Sequence, residues 1–170
     1  IQTITALILW QTGRVLFSDN AGRLAAVLWI SLPAVGLGSF VMSTDTPLLL
    51  FWSAGLYSLV RADETFHPNY HWMGLAGICV GLATLSKYAG LYFILSLVLW
   101  MMTGSFRKPS QKIRLFGIFF TTAILASLPT WLWNYNNGFV TLLHLGENAN
   151  FIQSDTSLEQ ATGGAFKGII

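Results

Sequence analysis

Apolar residues dominate six stretches of the chain, which short polar segments separate. The stretches are residues 1–17, about 24–42, 47–60, 72–86, 88–103 and 115–133. Charged residues are missing between Arg23 and Asp45, between Lys87 and Arg107, and from Leu115 to Leu143. A helix needs roughly 20 mostly apolar residues to cross a hydrocarbon core of about 30 Å. The pattern therefore predicts an all-α, polytopic membrane protein: a helix bundle with about six spans or part-spans.

The fourth and fifth stretches are separated by Lys87 alone. A single helix over residues 71–104 would be about 51 Å long at 1.5 Å per residue, far longer than the core is thick. It would also place Lys87 near the middle of the bilayer. Gly90 permits a break just after Lys87. We therefore predict two short spans that meet at a hydrated turn.

The distribution of Lys and Arg predicts which side each loop faces, because cytoplasmic loops carry an excess of these residues. With residues 11–23 inside, alternation places Lys87 outside, together with residues 43–46 and everything from residue 134 onward. The loops that fall inside then hold Arg14, Arg23, Arg61, Arg107, Lys108, Lys112 and Arg114. Merging the fourth and fifth stretches would put Arg61 and Arg107 on opposite faces, so this bias also supports two spans.

Local signals predict where helices begin, bend and pack. Thr46 and Pro47 are expected to be the N-cap and first residue of the third helix, since proline lacks the N–H that is unpaired there. Pro129 is expected to kink the sixth helix near its outer end. Gly74, Gly77 and Gly81, with Ala76 and Ala83, are expected to let neighbouring helices approach closely.

The last part of the chain is more polar and predicts a division into three parts. Residues 1–133 form a transmembrane bundle, as part of a larger domain. Residues 134–162 begin with a turn, NYNNG, and form an extracytoplasmic interfacial helix and loop. Residues 163–170 are expected to start a further span. We expect the sequence to be an internal piece of a longer protein.

Composition supports a membrane protein and excludes several other classes. Of the 170 residues, 54% are hydrophobic and 9% are charged, against about 25% charged in soluble domains. The net charge of +2 comes without a basic block suited to nucleic acid. The single Cys79 excludes a disulfide within the chain. No cofactor is indicated, and a divalent metal is compatible with the sequence but has no motif to support it.

Asp45 and Lys87 are the leading candidates for chemistry, because both flank short predicted spans at the outer face. Ionisable residues recessed below the headgroups are costly and usually functional. Asp45 could line an outward-facing site, or it could only support the start of a helix. Lys87 could contact a phosphate at the membrane surface, or it could be a lysine whose charge reaches the interface from a helix end.

Weaker candidates lie further along the chain. Asn134, with Asn136 and Asn137, could bind sugar hydroxyls, although such a cluster is more often a turn. His144 and Glu147 share a helical face and could act as an acid/base pair or a metal site. A solvated interfacial face is the simpler interpretation of that pair.

Three elements in order resemble a known family. Residues 41–52, VMSTDTPLLLFW, resemble the TPDAPLLFFW element of bacterial membrane glycosyltransferases that use polyprenyl-phosphate sugars. Residues 77–90, GICVGLATLSKYAG, are similar to that family's GLALGLGLLSKYTA element, and residues 129–139, PTWLWNYNNGF, to PVLIWNAQHGW. These enzymes are related to protein O-mannosyltransferases and to the aminoarabinose transferase of lipid A.

The resemblance implies a GT-C type fold and a sugar transfer at the outer face of the bacterial inner membrane. The donor would be a polyprenyl-phosphate sugar and the acceptor a lipid, glycan or protein. Asp45 matches a second external acidic position with a supporting catalytic role, and Lys87 matches a basic position suited to the donor phosphate. Asn134 matches a turn and is retained as a substrate-binding candidate. The family's general base precedes its second span, so we expect these residues to be inactive alone.

Two other functions fit the same pattern. A transporter or flippase for lipid-linked sugars would also need an outward polar cavity, though such proteins often contain inverted repeats, and the sequence shows none. A non-catalytic membrane scaffold is the third hypothesis. An acidic external loop upstream would favour the enzyme, whereas an upstream repeat of the present pattern would favour a transporter.

Overall fold

The computed structural model describes residues 1–41, 43–63, 69–103 and 109–141, and over these residues it is built from helices without a β-strand. The α-helices are α1 (Gln2–Leu16), α2 (Asp19–Ser31), α3 (Pro33–Phe40), α4 (Asp45–Asp63), α5 (Tyr70–Ser86), α6 (Phe93–Thr103) and α7 (Pro109–Asn136). A 3-10 turn, Tyr88–Tyr92, precedes α6. The all-α prediction is confirmed for the part of the chain that is described.

The second predicted stretch is not one straight helix. α2 begins after Ser18, whose hydroxyl accepts the N–H of Ala21 at 3.2 Å, and it ends where Leu32 becomes extended at φ −67°, ψ 124°. α3 then starts at Pro33 with its axis turned by 57°. A proline disfavours helical backbone at the residue before it and is well suited to a first helical position. The predicted span over residues 24–42 therefore contains a break at Pro33, and that the two helices cross the membrane as one span remains a prediction.

α4 begins two residues earlier than the Thr46–Pro47 cap predicted. The carbonyl of Thr44 accepts the N–H of Leu48 at 3.3 Å, which closes the first helical turn around Asp45. Pro47 still lies in that first turn, where its missing N–H costs nothing. The Ser43 hydroxyl accepts the backbone N–H of Asp45 at 3.2 Å, so Ser43 takes the capping role that the sequence had suggested for Thr46.

The break at Lys87 is confirmed. α5 ends at Ser86, and Lys87 is extended at φ −161°, ψ 139° before the 3-10 turn begins. The turn folds back on the end of α5: a Cβ on Gly90 would lie 2.6 Å from the backbone nitrogen of Thr84. Only glycine permits that approach. The fourth and fifth predicted stretches are therefore two helices.

The core is formed by the facing sides of α4, α5, α6 and the first half of α7. Its buried members are Leu59, Ala62, Met73, Ala76, Val80, Phe93, Leu97, Leu115 and Phe119. The predicted close approach at Gly77 and Gly81 is confirmed. A Cβ on Gly77 would clash with Phe119 O and Thr122 Oγ1, and one on Gly81 would lie 2.5 Å from Ala126 Cβ.

The chain divides into two compact units, Ile1–Pro129 and Thr130–Ile170. In the second unit α7 continues to Asn136, and the turn falls at residues 137–139, where Gly138 and Phe139 have φ of 64° and 58°. The turn predicted from residue 134 therefore begins three residues later. α7 runs through Pro129 without interruption, and its kink remains a prediction. The predicted interfacial helix, loop and further span lie mostly or wholly outside the described residues.

By length and composition, one helix of the described residues, Ser110–Asn136, could cross a membrane unaided. The bent pair α2–α3 would be a second if it forms one span, and Tyr88–Met102 is apolar but shorter. The polytopic arrangement remains a prediction. Large apolar side chains nevertheless stand exposed on several helices, among them Phe40, Leu37, Val27, Leu95, Leu99 and Leu125.

Candidate functional site

The start of α4 presents a carboxylate on a short polar turn. The Ser43 hydroxyl donates to Oδ2 of Asp45 at 3.2 Å while it accepts that residue's N–H at the same distance. Asp45 lies in the first turn of the helix, where the unpaired N–H groups favour negative charge. The local sequence thus fixes the carboxylate and leaves its other oxygen, Oδ1, for a partner from elsewhere in the fold.

That partner is Lys87. Its Nζ donates to Oδ1 of Asp45 at 2.7 Å, and the two side chains are each about half exposed. Lys87 is the extended residue directly after α5, so the ion pair joins the end of α5 to the start of α4. The fold therefore brings together two residues that are 42 positions apart in sequence. Such a contact is expected if Asp45 and Lys87 both lie at the outer face.

The pair lowers the pKa of Asp45 below its ordinary value of 3.8. The hydrogen bond from Lys87 is the largest cause, desolvation opposes it, and the charge of Lys87 and the Ser43 hydrogen bond add to it. Asp45 is consequently ionised at neutral pH and is a weak base. An efficient general base has a pKa near the working pH, so this carboxylate is better suited to hold the lysine than to remove a proton.

Two described cations of the predicted cytoplasmic loops, Arg61 and Lys112, lie toward the opposite end of α4 and α5. The Arg61 guanidinium lies 5.6 Å from the centroid of the Trp72 ring, near the end of α4 and the start of α5. Lys112 near the start of α7 donates to the carbonyl of Met101 near the end of α6 at 3.1 Å. Asp45 and Lys87 therefore occupy the end of the unit that the charge distribution predicts to be outside.

A cavity of about 520 Å³ opens beside Asp45. It lies between the start of α1, the end of α3 and the start of α4. Its lining residues are Ile1, Gln2, Thr3, Ser39, Val41, Ser43, Thr44, Thr46 and Pro47. Of these hydroxyl and amide side chains, only Thr46 had a role predicted from the sequence, as a helix cap. Serine and threonine are common near helix ends for capping reasons alone, so their types gave no signal of a shared cavity.

Asn134 belongs to the second unit and is 2% exposed. Its Nδ2 donates to the carbonyl of Thr130 at 2.9 Å, and its own carbonyl accepts the N–H groups of Asn137 and Phe139. These bonds close the end of α7. The structure thus places Asn134 in a helix terminus, and its substrate-binding role stays a prediction.

Among the remaining candidates, the structure describes the side chain of Asn137 at the end of α7. Asn137 donates through Nδ2 to the carbonyl of Trp133 at 2.7 Å, again at the helix end. His144 and Glu147 lie outside the described residues. Cys79 is buried within α5. Across the described ranges, no three His, Cys, Asp or Glu side chains come together as they would around a metal ion.

A family model described as dolichyl-phosphate-mannose-protein mannosyltransferase matches residues 1–133. The chain belongs to this glycosyltransferase family. The match includes both Asp45 and Lys87 and all of the residues that line the cavity. The family resemblance inferred from the three sequence elements is therefore confirmed, and with it a general assignment to sugar transfer.

One curated relative extends the comparison. The lipid A galacturonosyltransferase RgtD of Rhizobium johnstonii is 26% identical over 165 residues, which cover 94% of this chain and 33% of that protein. The chain thus spans about a third of the length of the curated relative it matches. No solved structure gives a significant match.

Proposed function

We propose that the full-length protein transfers a sugar from a polyprenyl-phosphate donor to an acceptor on the extracytoplasmic face of the bacterial inner membrane. The acceptor would be a lipid, a glycan or a protein. The observation that carries this proposal is the ion pair of Asp45 and Lys87, which stands half exposed at a helix break inside a glycosyltransferase family domain.

In this proposal Lys87 contacts the phosphate of the donor. An ammonium has three donor hydrogens, and the bond to Asp45 uses one of them. Exposed ion pairs are weak, so a phosphate can draw the lysine toward itself without a large cost. The departing polyprenyl phosphate carries the charge that develops as the sugar leaves, and a fixed cation beside it stabilises that charge.

Asp45 is proposed to support this step by positioning Lys87. Its lowered pKa keeps it anionic, so it can hold Nζ of Lys87 at the start of α4, next to lining residues of the cavity. The general base that activates the acceptor hydroxyl is proposed to be a different acidic residue, in the external loop before the family's second span.

The membrane setting rests on the exposed apolar surface. The helix Ser110–Asn136 has the length and composition of a span, and residues such as Phe40 and Met102 are 92% and 76% exposed. Apolar surface of this extent is normally covered by lipid or by other protein. The gathering of Arg61 and Lys112 at the far end supports an outward-facing Asp45 and Lys87.

The test is transfer of a labelled sugar from polyprenyl-phosphate donors to cell-envelope acceptors by the purified full-length protein in proteoliposomes. We expect transfer by the wild type and a large reduction in Asp45→Asn, which keeps the side-chain shape but removes the charge. Movement of the intact labelled donor between leaflets without any transfer would contradict the proposal and support a flippase.

A further inference from the structure

A groove between α5 and α7 lies at the end of the first unit opposite to the candidate site. Its volume is about 470 Å³. The residues that line it are Tyr70, Arg114, Gly117, Ile118, Thr121 and Thr122. Tyr70 is the first residue of α5, and Arg114 lies in the second turn of α7. The groove therefore begins at the same end as Arg61 and Lys112, which is the end predicted to be cytoplasmic.

The α7 side of the groove is one stripe of the helix. Its five residues, Arg114, Gly117, Ile118, Thr121 and Thr122, have the spacing of three and four positions that places side chains on one helical face. From Arg114 to Thr122 the stripe extends about 12 Å at 1.5 Å per residue. With Arg114 at the predicted membrane surface, the groove would reach well into a hydrocarbon core of about 30 Å.

Beyond Arg114 the lining of the groove is mostly apolar. Gly117 has no side chain, and a Cβ built on it would meet no atom within 4 Å. The Thr122 hydroxyl donates to the carbonyl of Ile118 at 2.9 Å, so its hydrogen is already used, and Thr121 adds one further hydroxyl. Burying polar groups in such surroundings is costly. An open groove with this lining is therefore suited to a hydrocarbon chain.

The mouth of the groove carries a positive charge. Lys112 is already bound to the carbonyl of Met101, whereas the Arg114 guanidinium forms no ion pair or hydrogen bond with the part of the chain that the structure describes. A guanidinium matches the oxygens of a phosphate in geometry and in charge. Tyr70, on the facing helix, brings a hydroxyl that can also donate. Basic pockets between helices at the cytoplasmic surface are typical binding places of anionic lipid headgroups.

We propose that this groove binds one anionic phospholipid of the cytoplasmic leaflet, with its phosphate at Arg114 and an acyl chain along residues 117–122. A phospholipid matches both parts of the groove, the apolar lining and the cation at one end. The inference goes beyond the proposed sugar transfer and rests on the proposed function only for its membrane setting and orientation.

Photoreactive phospholipids test the inference on the full-length protein in phosphatidylcholine vesicles. Phosphatidylglycerol and phosphatidylcholine probes carry the same diazirine-bearing acyl chain, and mass spectrometry locates the labelled residues. We expect residues 117–122 to be labelled roughly fivefold or more strongly by the phosphatidylglycerol probe, the effect of one cation near the surface. Leu95, exposed on α6 in a stretch without charges, should be labelled equally by both probes.

Two results of this experiment would overturn the inference. Equal labelling of residues 117–122 by the two probes would show that the groove does not recognise the anionic headgroup. Absence of labelling by either probe would show that protein, and not lipid, covers the groove in the full-length molecule.

A charge variant connects the preference to Arg114. Arg114→Gln should abolish the preference for the phosphatidylglycerol probe at residues 117–122. Arg23→Gln removes another exposed arginine from the predicted cytoplasmic end, where it pairs with Asp19 at 2.7 Å, and should leave the preference unchanged. A preference that survives Arg114→Gln, or that both variants reduce equally, would contradict the role of Arg114.

A glycine variant tests the position of the acyl chain without changing any charge. Gly117→Leu places a side chain in open space within the groove and favours the helix, so the protein should fold. Labelling of residues 118–122 by the phosphatidylglycerol probe should fall several-fold. Gly36→Leu on α3, where a Cβ also meets nothing within 4 Å, should leave this labelling unchanged. Undiminished labelling in Gly117→Leu would contradict the proposed position of the chain.

Lipid binding and sugar transfer fail separately. A protein that transfers sugar but shows no preference between the probes keeps the proposed function and loses this inference. A protein with the preference that transfers no sugar keeps the lipid site and loses the proposed function. Both leaflets of the vesicles contain the same lipids, so the labelling does not depend on which end of the protein faces outward.

Discussion

The ion pair of Asp45 and Lys87 predicts a specific titration of Asp45. The folded pKa of Asp45 lies below 3.8, so the pair's contribution to the free energy of unfolding is complete above the unfolded pKa and is lost as pH falls through the folded pKa. Carboxyl ¹³C NMR of labelled full-length protein should place the Asp45 midpoint below 3.8, and Lys87→Met should raise it. Identical midpoints in the two proteins would show that the contact does not form in solution.

The positions of these two side chains could be predicted from the sequence. Charges are rare here, and Asp45 and Lys87 each interrupt a long apolar pattern at the face that the Lys and Arg distribution predicts to be outside. Their 2.7 Å contact follows from two helix ends that meet. The polar residues of the cavity lining could not be predicted as a group, because polar residues near helix termini usually bond to the backbone.

At the scale of helices, a break could be predicted from the sequence where an unbroken helix would have been too long. A break that depends on local backbone geometry could not. A single helix through Lys87 would have been far too long, so the break there could be predicted. The apolar stretch of residues 24–42 has a suitable length for one span, so its hydrophobicity gave no indication of the bend at Pro33. α4 starts at Asp45 because Ser43 and Thr44 accept hydrogen bonds from its first N–H groups. The Thr46–Pro47 pair is also typical of a helix start, so the sequence predicted the start two residues too late.

Packing of α5 on α7 predicts unequal effects of two glycine substitutions. Gly77→Ala forces a methyl group against Phe119 and Thr122 and should destabilise the protein by about 1–3 kcal/mol. In Gly74→Ala the new Cβ would be 3.6 Å from Ile118 Cγ2, an ordinary contact. That variant should be neutral or gain up to about 1 kcal/mol from helix propensity.

Reversible unfolding of the full-length protein in mixed micelles measures both glycine variants. Equal stability of Gly77→Ala and Gly74→Ala would mean that α5 and α7 are further apart than the structure places them.

For the whole molecule, the main claim is that one end of the first unit faces outward. The unit separates its charges: Asp45 and Lys87 at one end of α4 and α5, and Arg61 with Trp72 at the other. The sequence could predict this separation from the positions of Lys and Arg alone. It could not predict which further residues complete the site, since the chain spans about a third of the length of the curated relative it matches.

Thiol labelling in intact cells tests the sidedness. In a Cys79→Ala background, Thr44→Cys should react with a membrane-impermeant maleimide added outside. Ser110→Cys, at the start of α7 among the predicted cytoplasmic cations, should react only after permeabilisation. The opposite pattern, or external labelling of both positions, would show that the predicted orientation is wrong.

The most direct measurement of the central claim is the affinity of the full-length protein for polyprenyl phosphate without its sugar, in wild type, Lys87→Met and Arg23→Met. Arg23 forms an exposed 2.7 Å ion pair with Asp19 on α2, so its variant controls for the loss of such a pair. We predict about tenfold or greater weakening in Lys87→Met, as expected for a hydrogen bond between charged groups, and unchanged affinity in Arg23→Met. Equal affinity of Lys87→Met and wild type would contradict the assignment of Lys87 to the donor phosphate.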